Sequence, residues 1–419
     1  MLDFEFGDTF KTYDFNICIE RFWPMPSSSS LGMTRSKTLV FAIAAGLAVG
    51  NLYLAQPLIG TIAQAFGVSA SNAAILVTAT QVGYALGIFL VVPLGDVLDR
   101  RKLIPSLLGV SATMLIGATM APTFSTLLAA LAGVGLTTVS AQLLTPLASE
   151  IAEPTQRGRV VGTISAGALS GILLSRTISG VVADFLGWRA IYALAAALAV
   201  ILAFILRRML PTLSRRDPVP YMRLLGSVFT TIVQYRAAAP TLLICSANFA
   251  VFSLFWTSLT YLLSAPPFSY GTTQIGLFGL AGLAGALTAR RAGLLHDRGW
   301  SVPTSGAAMV LLAISLLGAW GAQASLIGLV LAVIVLDIAV QANLVLGQTR
   351  LMSLPGGARS RLNTALVVSN FIGGAIGSAV SGPLWASGGW PRILVVALGL
   401  NLAAFGVWAV TRSRLAAEN

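Results

Sequence analysis

Two ionisable residues lie inside apolar runs where a charge is expensive. Arg176 falls 16 residues into the run 160–183, and Asp337 near the middle of 325–348. A charge at bilayer depth costs about 3 kcal/mol or more, so it faces a partner or a watery cavity. A carboxyl there is a candidate proton carrier, because loss of water disfavours the anion. A guanidinium there can hold a carboxylate or an anionic group of a cargo. A structural pair between helices is the other reading of each. At 1.5 Å per residue, Arg176 lies about 24 Å along its helix, beyond the membrane centre.

The neighbours of Asp337 extend the pattern. Asp337, Gln341 and Gln348 share one helical face, spaced i, i+4 and i+11. Thr138, Gln142, Thr145 and Ser149 repeat that spacing in the run 124–149. Two polar stripes in apolar helices either line a shared cavity or bond between helices. Gln56, Gln81, Tyr84, Asn248 and Trp256 are further cavity candidates; packing alone is the other reading of each. A second kind of chemistry sits at helix ends. Gly95, Asp96, Asp99, Arg100, Arg101 and Lys102 form an acid–base loop. Asp297 and Arg298, and Glu150, Arg157, Arg159, Arg359 and Arg361, place similar charges at other ends. Exposed pairs are worth about 0–1 kcal/mol each, weak enough for a gate that breaks and reforms. Glu150 is expected to pair with Arg157 or Arg159.

The elements that carry these residues follow from composition. Of 419 residues, 56% are hydrophobic and 10% charged, against about 25% charged in a soluble domain. Mean hydropathy is +0.85. Twelve apolar segments stand out, at 38–60, 73–94, 103–121, 124–149, 160–183, 188–207, 239–263, 272–290, 302–321, 325–348, 362–386 and 390–411. Each is near the roughly 20 residues a spanning helix needs. The chain reads as an all-α membrane protein of twelve transmembrane helices in two pseudo-symmetric six-helix halves. The expected divisions are a disordered tail at 1–34, a first half at 35–207, a cytoplasmic loop at 208–238, a second half at 239–412 and a short tail at 413–419. The segment Met33-Thr-Arg-Ser-Lys leads straight into the first span, so Met33 is expected to be the natural start.

The charges orient the chain. Of 26 Lys and Arg residues, 23 fall on the side of the first tail, two (Arg189 and Arg392) on the other, and Arg176 within a span. By the positive-inside rule both termini are cytoplasmic. The net charge of +12 is thus a topology signal, and nucleic acid is not an expected partner. With one histidine, His296, a multi-histidine metal site is excluded. No GxxxxGK[ST] run supplies a phosphate loop. No cofactor is expected and no enzyme activity is supported.

The chain also repeats. Shifted by 202 residues, Arg157, Arg159, Gly171, Ser179, Gly180, Gly187 and Trp188 fall on Arg359, Arg361, Gly373, Ser381, Gly382, Gly389 and Trp390. Shifted by 198, Gly95, Asp99 and Arg100 fall on Gly293, Asp297 and Arg298. Six spans per half make the repeats parallel, related by an axis along the membrane normal. This layout resembles the major facilitator superfamily, and Gly95-Asp-Val-Leu-Asp-Arg-Arg-Lys102 is similar to its signature after the second span. Asn51-Leu-Tyr-Leu-Ala-Gln-Pro57 and Gly135-Leu-Thr-Thr-Val-Ser-Ala-Gln142 resemble the bacterial drug:proton antiporter and arabinose-efflux-permease-like group. Two departures stand against that group: residues 127–145 hold no arginine, and Ile172 stands where a proline is usual. The resemblance implies a secondary transporter of the bacterial inner membrane, monomeric by default. Its expected partners are a small-molecule substrate, protons and the lipid bilayer. Proton-coupled efflux of a drug-like molecule or sugar is the first expectation, a uniporter or importer the second, and a non-transporting sensor the third.

Overall fold

Lipid offers no hydrogen bonds, so an apolar chain that crosses it must satisfy its backbone internally. The computed structural model describes residues 33–210, 220–282, 285, 288, 292, 294–296, 298–354 and 358–417, and no strand forms among them. The first span is split into α1 (Arg35–Gly50) and α2 (Ile59–Phe66). The second runs through α3 (Ala70–Ala73), α4 (Ile75–Leu90) and α5 (Leu94–Val97). The third is α6 (Arg100–Met120), and the fourth is α7 (Phe124–Thr137) plus α8 (Ser140–Ile151). The fifth and sixth are α9 (Arg157–Leu186) and α10 (Trp188–Met209).

After α11 (Tyr221–Gln234), the second half begins with α12 (Ala238–Ser264), the seventh span. The eighth starts as α13 (Thr272–Ala281); the ninth and tenth are α14 (Ser301–Gly321) and α15 (Leu326–Ser353). The last two are joined in α16 (Arg359–Ala417), broken at Gly389 with φ of 59°. Among the described residues nine helical stretches are long and apolar enough to cross a bilayer. The last of these holds two spans. The interrupted first span and the partly described eighth complete a twelve-helix arrangement. Over the described residues the expected and observed spans agree to within a few residues; the expected end of the eighth, at 290, lies outside them.

One element was not expected. Within the segment read as a loop, α11 forms an amphipathic helix that buries Leu225, Val228 and Thr231. Val228 joins Leu351 and Leu362 in an apolar cluster. Tyr221 donates to the Leu90 carbonyl at 2.5 Å, so α11 touches both halves.

The repeat seen in the sequence is a repeat of contacts. A Cβ on Gly171 would overlap the Gly46 carbonyl of the first span. Its counterpart Gly373 meets the Ser246 carbonyl of the seventh in the same way. Gly180 packs across the halves on Thr272 of the eighth span, and Gly382 packs across on Ser71 of the second. Trp188 and Trp390 are both buried, each after a glycine of positive φ.

The halves are pinned together at the end opposite the Arg100 and Arg157 loops. Asp184, on α9, accepts from the Thr272 hydroxyl and from the Thr273 N–H at 2.9 Å. A carboxylate there satisfies open donors at the start of α13 and faces the positive end of its dipole. Thr78 and Ser378 are 2.9 Å apart, and Tyr261 donates to the Ala70 carbonyl at 3.3 Å. Toward the basic end, Thr163, Ser165, Ala166 and Ser170 of the fifth span are exposed. Asp184→Ala is expected to lower the thermal unfolding midpoint in detergent, by about 1 kcal/mol of stability as for a lost cap. An unchanged midpoint would contradict the cap's role.

Candidate functional site

The site begins with a break in the first span. Residues 51–55 turn rather than wind, and Gln56–Leu58 form a 3-10 turn with Pro57 inside it. Proline has no N–H to donate and cannot continue the ladder. Carbonyls freed in this way need donors from neighbours. Ser179 of the fifth span donates to Leu54 at 2.7 Å, and Thr260 of the seventh donates to Gln56 at 3.2 Å. The unwound segment is thereby fixed with Tyr53 and Gln56 turned toward Arg176.

Arg176 is 2% exposed and Asp337 3%. They meet through Trp256. The guanidinium carbon lies 4.4 Å from the centre of the Trp256 ring and 4.5 Å from that of Tyr53. The indole Nε1–H donates to Asp337 Oδ1 at 3.1 Å. One ring thus presents its negative face to a cation and its positive edge to an anion. A desolvated cation–π contact is worth about 2 kcal/mol, and the hydrogen bond polarises the ring in the sense that strengthens it. Arg176 Nε donates to Gln56 Oε1 at 2.7 Å, and Nη1 to its own helix at the Ile172 carbonyl, 3.1 Å away. Arg176 Nη2 and Gln56 Nε2 are buried without a hydrogen-bond partner among the described residues. On the other side, Asp337 packs on the bare backbone of Gly282 and Gly285 in the eighth span.

The other sequence candidates divide. Gln142 donates to the Tyr84 hydroxyl at 3.4 Å, and Gln81 donates across the halves to Ser253 at 2.9 Å. Tyr84 touches Phe371 of the second half, with ring centres 4.4 Å apart. Gln341 is half-buried, while Gln348 pairs with Asn363 at 3.2 Å, exposed at a helix end. Asn248 is not in this group. It donates to Ile244 at 2.8 Å within its own helix and lies near Asn343 of the tenth span. Thr138 bonds to the Ala48 carbonyl at 2.8 Å, a packing contact within the first half.

At the basic end, Arg100 gathers the loop. It donates to the Gly95 carbonyl at 2.8 Å and pairs with Asp96 at 2.9 Å and with Glu150 at 3.1 Å. Glu150 is therefore drawn to Arg100, and Arg157 donates instead to the Ala152 carbonyl at 3.3 Å. Asp99 caps α6 through the Arg101 N–H at 2.9 Å. These contacts join helices of the first half to one another rather than one half to the other. Arg159, Arg298, Arg359 and Arg361 are exposed; Asp297 lies outside the described residues.

Three residues escaped the sequence reading. Tyr53 looked like one more apolar position, and only the unwound turn brings it to Arg176. Asp184 gave a faint signal as an acid at the sparsely charged end. Arg350 was counted with the loop anchors by position, yet it is 1% exposed. It donates to Ser301 at 3.0 Å and to Ser305 at 3.3 Å inside the second half.

The Major Facilitator Superfamily model matches residues 41–344. An uncharacterised transporter of Escherichia coli O157:H7, YgaY, is 41% identical over 370 residues, covering 88% of this chain and 94% of YgaY. The probable transporter SCO4007 of Streptomyces coelicolor is 31% identical over 377 residues, covering 88% of this chain and 84% of its own. Among solved structures, the peptide transporter POT in complex with alafosfalin matches at a TM-score of 0.72 and 13% identity. That match covers 91% of this chain and 94% of POT, and at such identity it shows the shared fold alone.

Trp256→Phe keeps a ring face for Arg176 and removes the N–H from Asp337. It is expected to destabilise the protein by about 1–3 kcal/mol, the cost of leaving a buried polar group unpaired. Thermal unfolding in detergent checks this, and an unchanged midpoint would contradict it.

Proposed function

The chain belongs to the Major Facilitator Superfamily, and on that premise we propose that it is a proton-coupled secondary transporter exporting a small, partly hydrophobic molecule by alternating access. It is a multi-pass membrane protein. The basic end faces the cytoplasm of a bacterial cell in this reading, as the positive-inside rule requires. The observation that carries it is the placement of Asp337: buried at mid-span, bonded to Trp256 of its own half and, through that ring, set against Arg176 of the other half.

A proton arriving on Asp337 cancels the negative member of this set. The guanidinium then has no opposing charge across the ring, and the balance that holds the halves in one arrangement changes. Alternating access needs such a link between a titrating group and a bistable interface. The contacts at the Asp184 end break and remake as the halves rock, and the exposed charges around Arg100, Glu150, Arg157 and Arg359 form the opposite gate. Their weak pairing suits that role. Gln142, Gln341, Gln81 and Tyr84 line the route of the cargo between the halves.

Export follows when cargo and proton compete for Asp337. A second reading, uptake with the proton, is favoured by Arg176. A cargo that bears a negative charge would bind the guanidinium and move with the proton rather than against it.

Proteoliposomes with a trapped pH-sensitive dye test the proposal. A panel of drugs, sugars and organic anions is expected to include one that drives proton movement in the wild type, and Asp337→Asn is expected to abolish that movement. Cargo-driven proton flux that persists in Asp337→Asn would refute the assignment.

A further inference from the structure

We infer that Arg176 and Gln56 form a binding site for the carboxylate, or an equivalent single-charged oxyanion, of an organic cargo, with Tyr53 and Trp256 as apolar walls. This inference deepens the proton-coupled transport reading and rests on it, in its second form, uptake with the proton.

Two N–H donors are left over where Arg176 meets Gln56. Arg176 Nε and Nη1 are engaged, but Nη2 is buried and, among the described residues, unpaired. The same bond that ties Gln56 Oε1 to Arg176 leaves Gln56 Nε2 buried and unpaired. A buried donor left without an acceptor loses its hydration and gains nothing in return. An arginine placed only to brace helices would have its fork used up by them. Both residues line one cavity with Pro57, Trp256, Thr260 and Ile275. A guanidinium Nη and a neighbouring amide Nε are two N–H donors of the kind that grip the two oxygens of a carboxylate.

The surroundings choose the class of anion. One cation and one amide amid apolar and aromatic side chains suit a single negative charge on an organic body. A doubly charged phosphate would need more positive partners. The cavity also lies in a telling place. Gln56, Pro57 and Arg176 come from the first half, and Trp256, Leu259, Thr260 and Ile275 from the second. At about 10 Å³ it has room for roughly one water, and parting of the halves is what enlarges it.

Charge then sets the coupling. An anion on Arg176 takes over the positive charge that Asp337 faces across Trp256. Two anions around one buried cation are unfavourable, so a proton on Asp337 accompanies the cargo. Proton and anion travel together, which is the second of the two directions above.

The test uses the purified full-length protein in detergent at constant ionic strength in sodium chloride. Thermal unfolding is followed with acetate, benzoate and indole-3-acetate, with the neutral benzamide and the cationic benzylamine as controls. At least one carboxylate is expected to raise the midpoint, and benzamide and benzylamine are not. Gln56→Glu places a carboxylate on Arg176 from within, so it should fold stably and lose the response. Asp337→Asn removes the competing anion and should bind the carboxylate several-fold more tightly. No shift with any carboxylate would overturn the inference, as would an equal shift with benzamide, or a response that survives in Gln56→Glu. The two readings fail separately: carboxylate binding without flux in vesicles defeats transport alone, and proton-coupled flux of a neutral cargo without carboxylate binding defeats this site alone.

Discussion

A buried guanidinium on one half and a buried carboxylate on the other share a single indole. Neither charge could stand alone in a membrane protein's interior, where an unpaired ion costs several kcal/mol. Trp256 lets them compensate without direct contact, because a ring attracts a cation at its face and donates to an anion at its edge. Much else in the middle of the molecule serves this arrangement. The first span unwinds at 51–55 to bring Tyr53 and Gln56 to Arg176. Ser179 and Thr260 satisfy the carbonyls that the unwinding frees. The eighth span offers glycine beside Asp337, since a side chain at Gly282 or Gly285 would collide with it.

The two halves are copies, and the site lies where the copies differ. At the offset of 202 residues Arg176 corresponds to Ser378, and the run 124–149 holds no acid to answer Asp337. Ser378 does the plain work of bonding to Thr78 across the halves. Gly135 packs on Thr80 of the second span, and Asp337 packs on Gly282 of the eighth. The fourth span thus meets the second through a glycine, and the tenth meets the eighth through an acid. Symmetry supplies close helix crossings common to both halves, and its local loss supplies chemistry at the centre.

Much of this was legible in the chain. The spans follow from hydropathy, and the repeat from glycines whose matched contacts leave no room for a Cβ, as at Gly171 and Gly373. Arg176 and Asp337 stood out because a charge in an apolar run demands a partner. What the chain could not reveal depends on tertiary placement. Tyr53 reaches Arg176 only through a broken helix. Arg350 sits at a helix end, where an anchor belongs, but its helix turns it inward onto Ser301 and Ser305. Asn248 shares the polarity of the cavity candidates and faces the interior of its own half instead. At the basic loops Arg100 binds Asp96 and Glu150 within the first half, a choice of partners that spacing alone does not show.

The most direct measurement is a double-mutant cycle on thermal unfolding, with Arg176→Gln, Asp337→Asn and both together. Each single change strands one buried charge, while the double change removes both. Coupling across the ring predicts that the double variant loses less stability than the sum of the singles, by about 0.5–3 kcal/mol as for residues in one network. Losses that simply add would mean that Arg176 and Asp337 are independent, and would contradict the central role given to Trp256 between them.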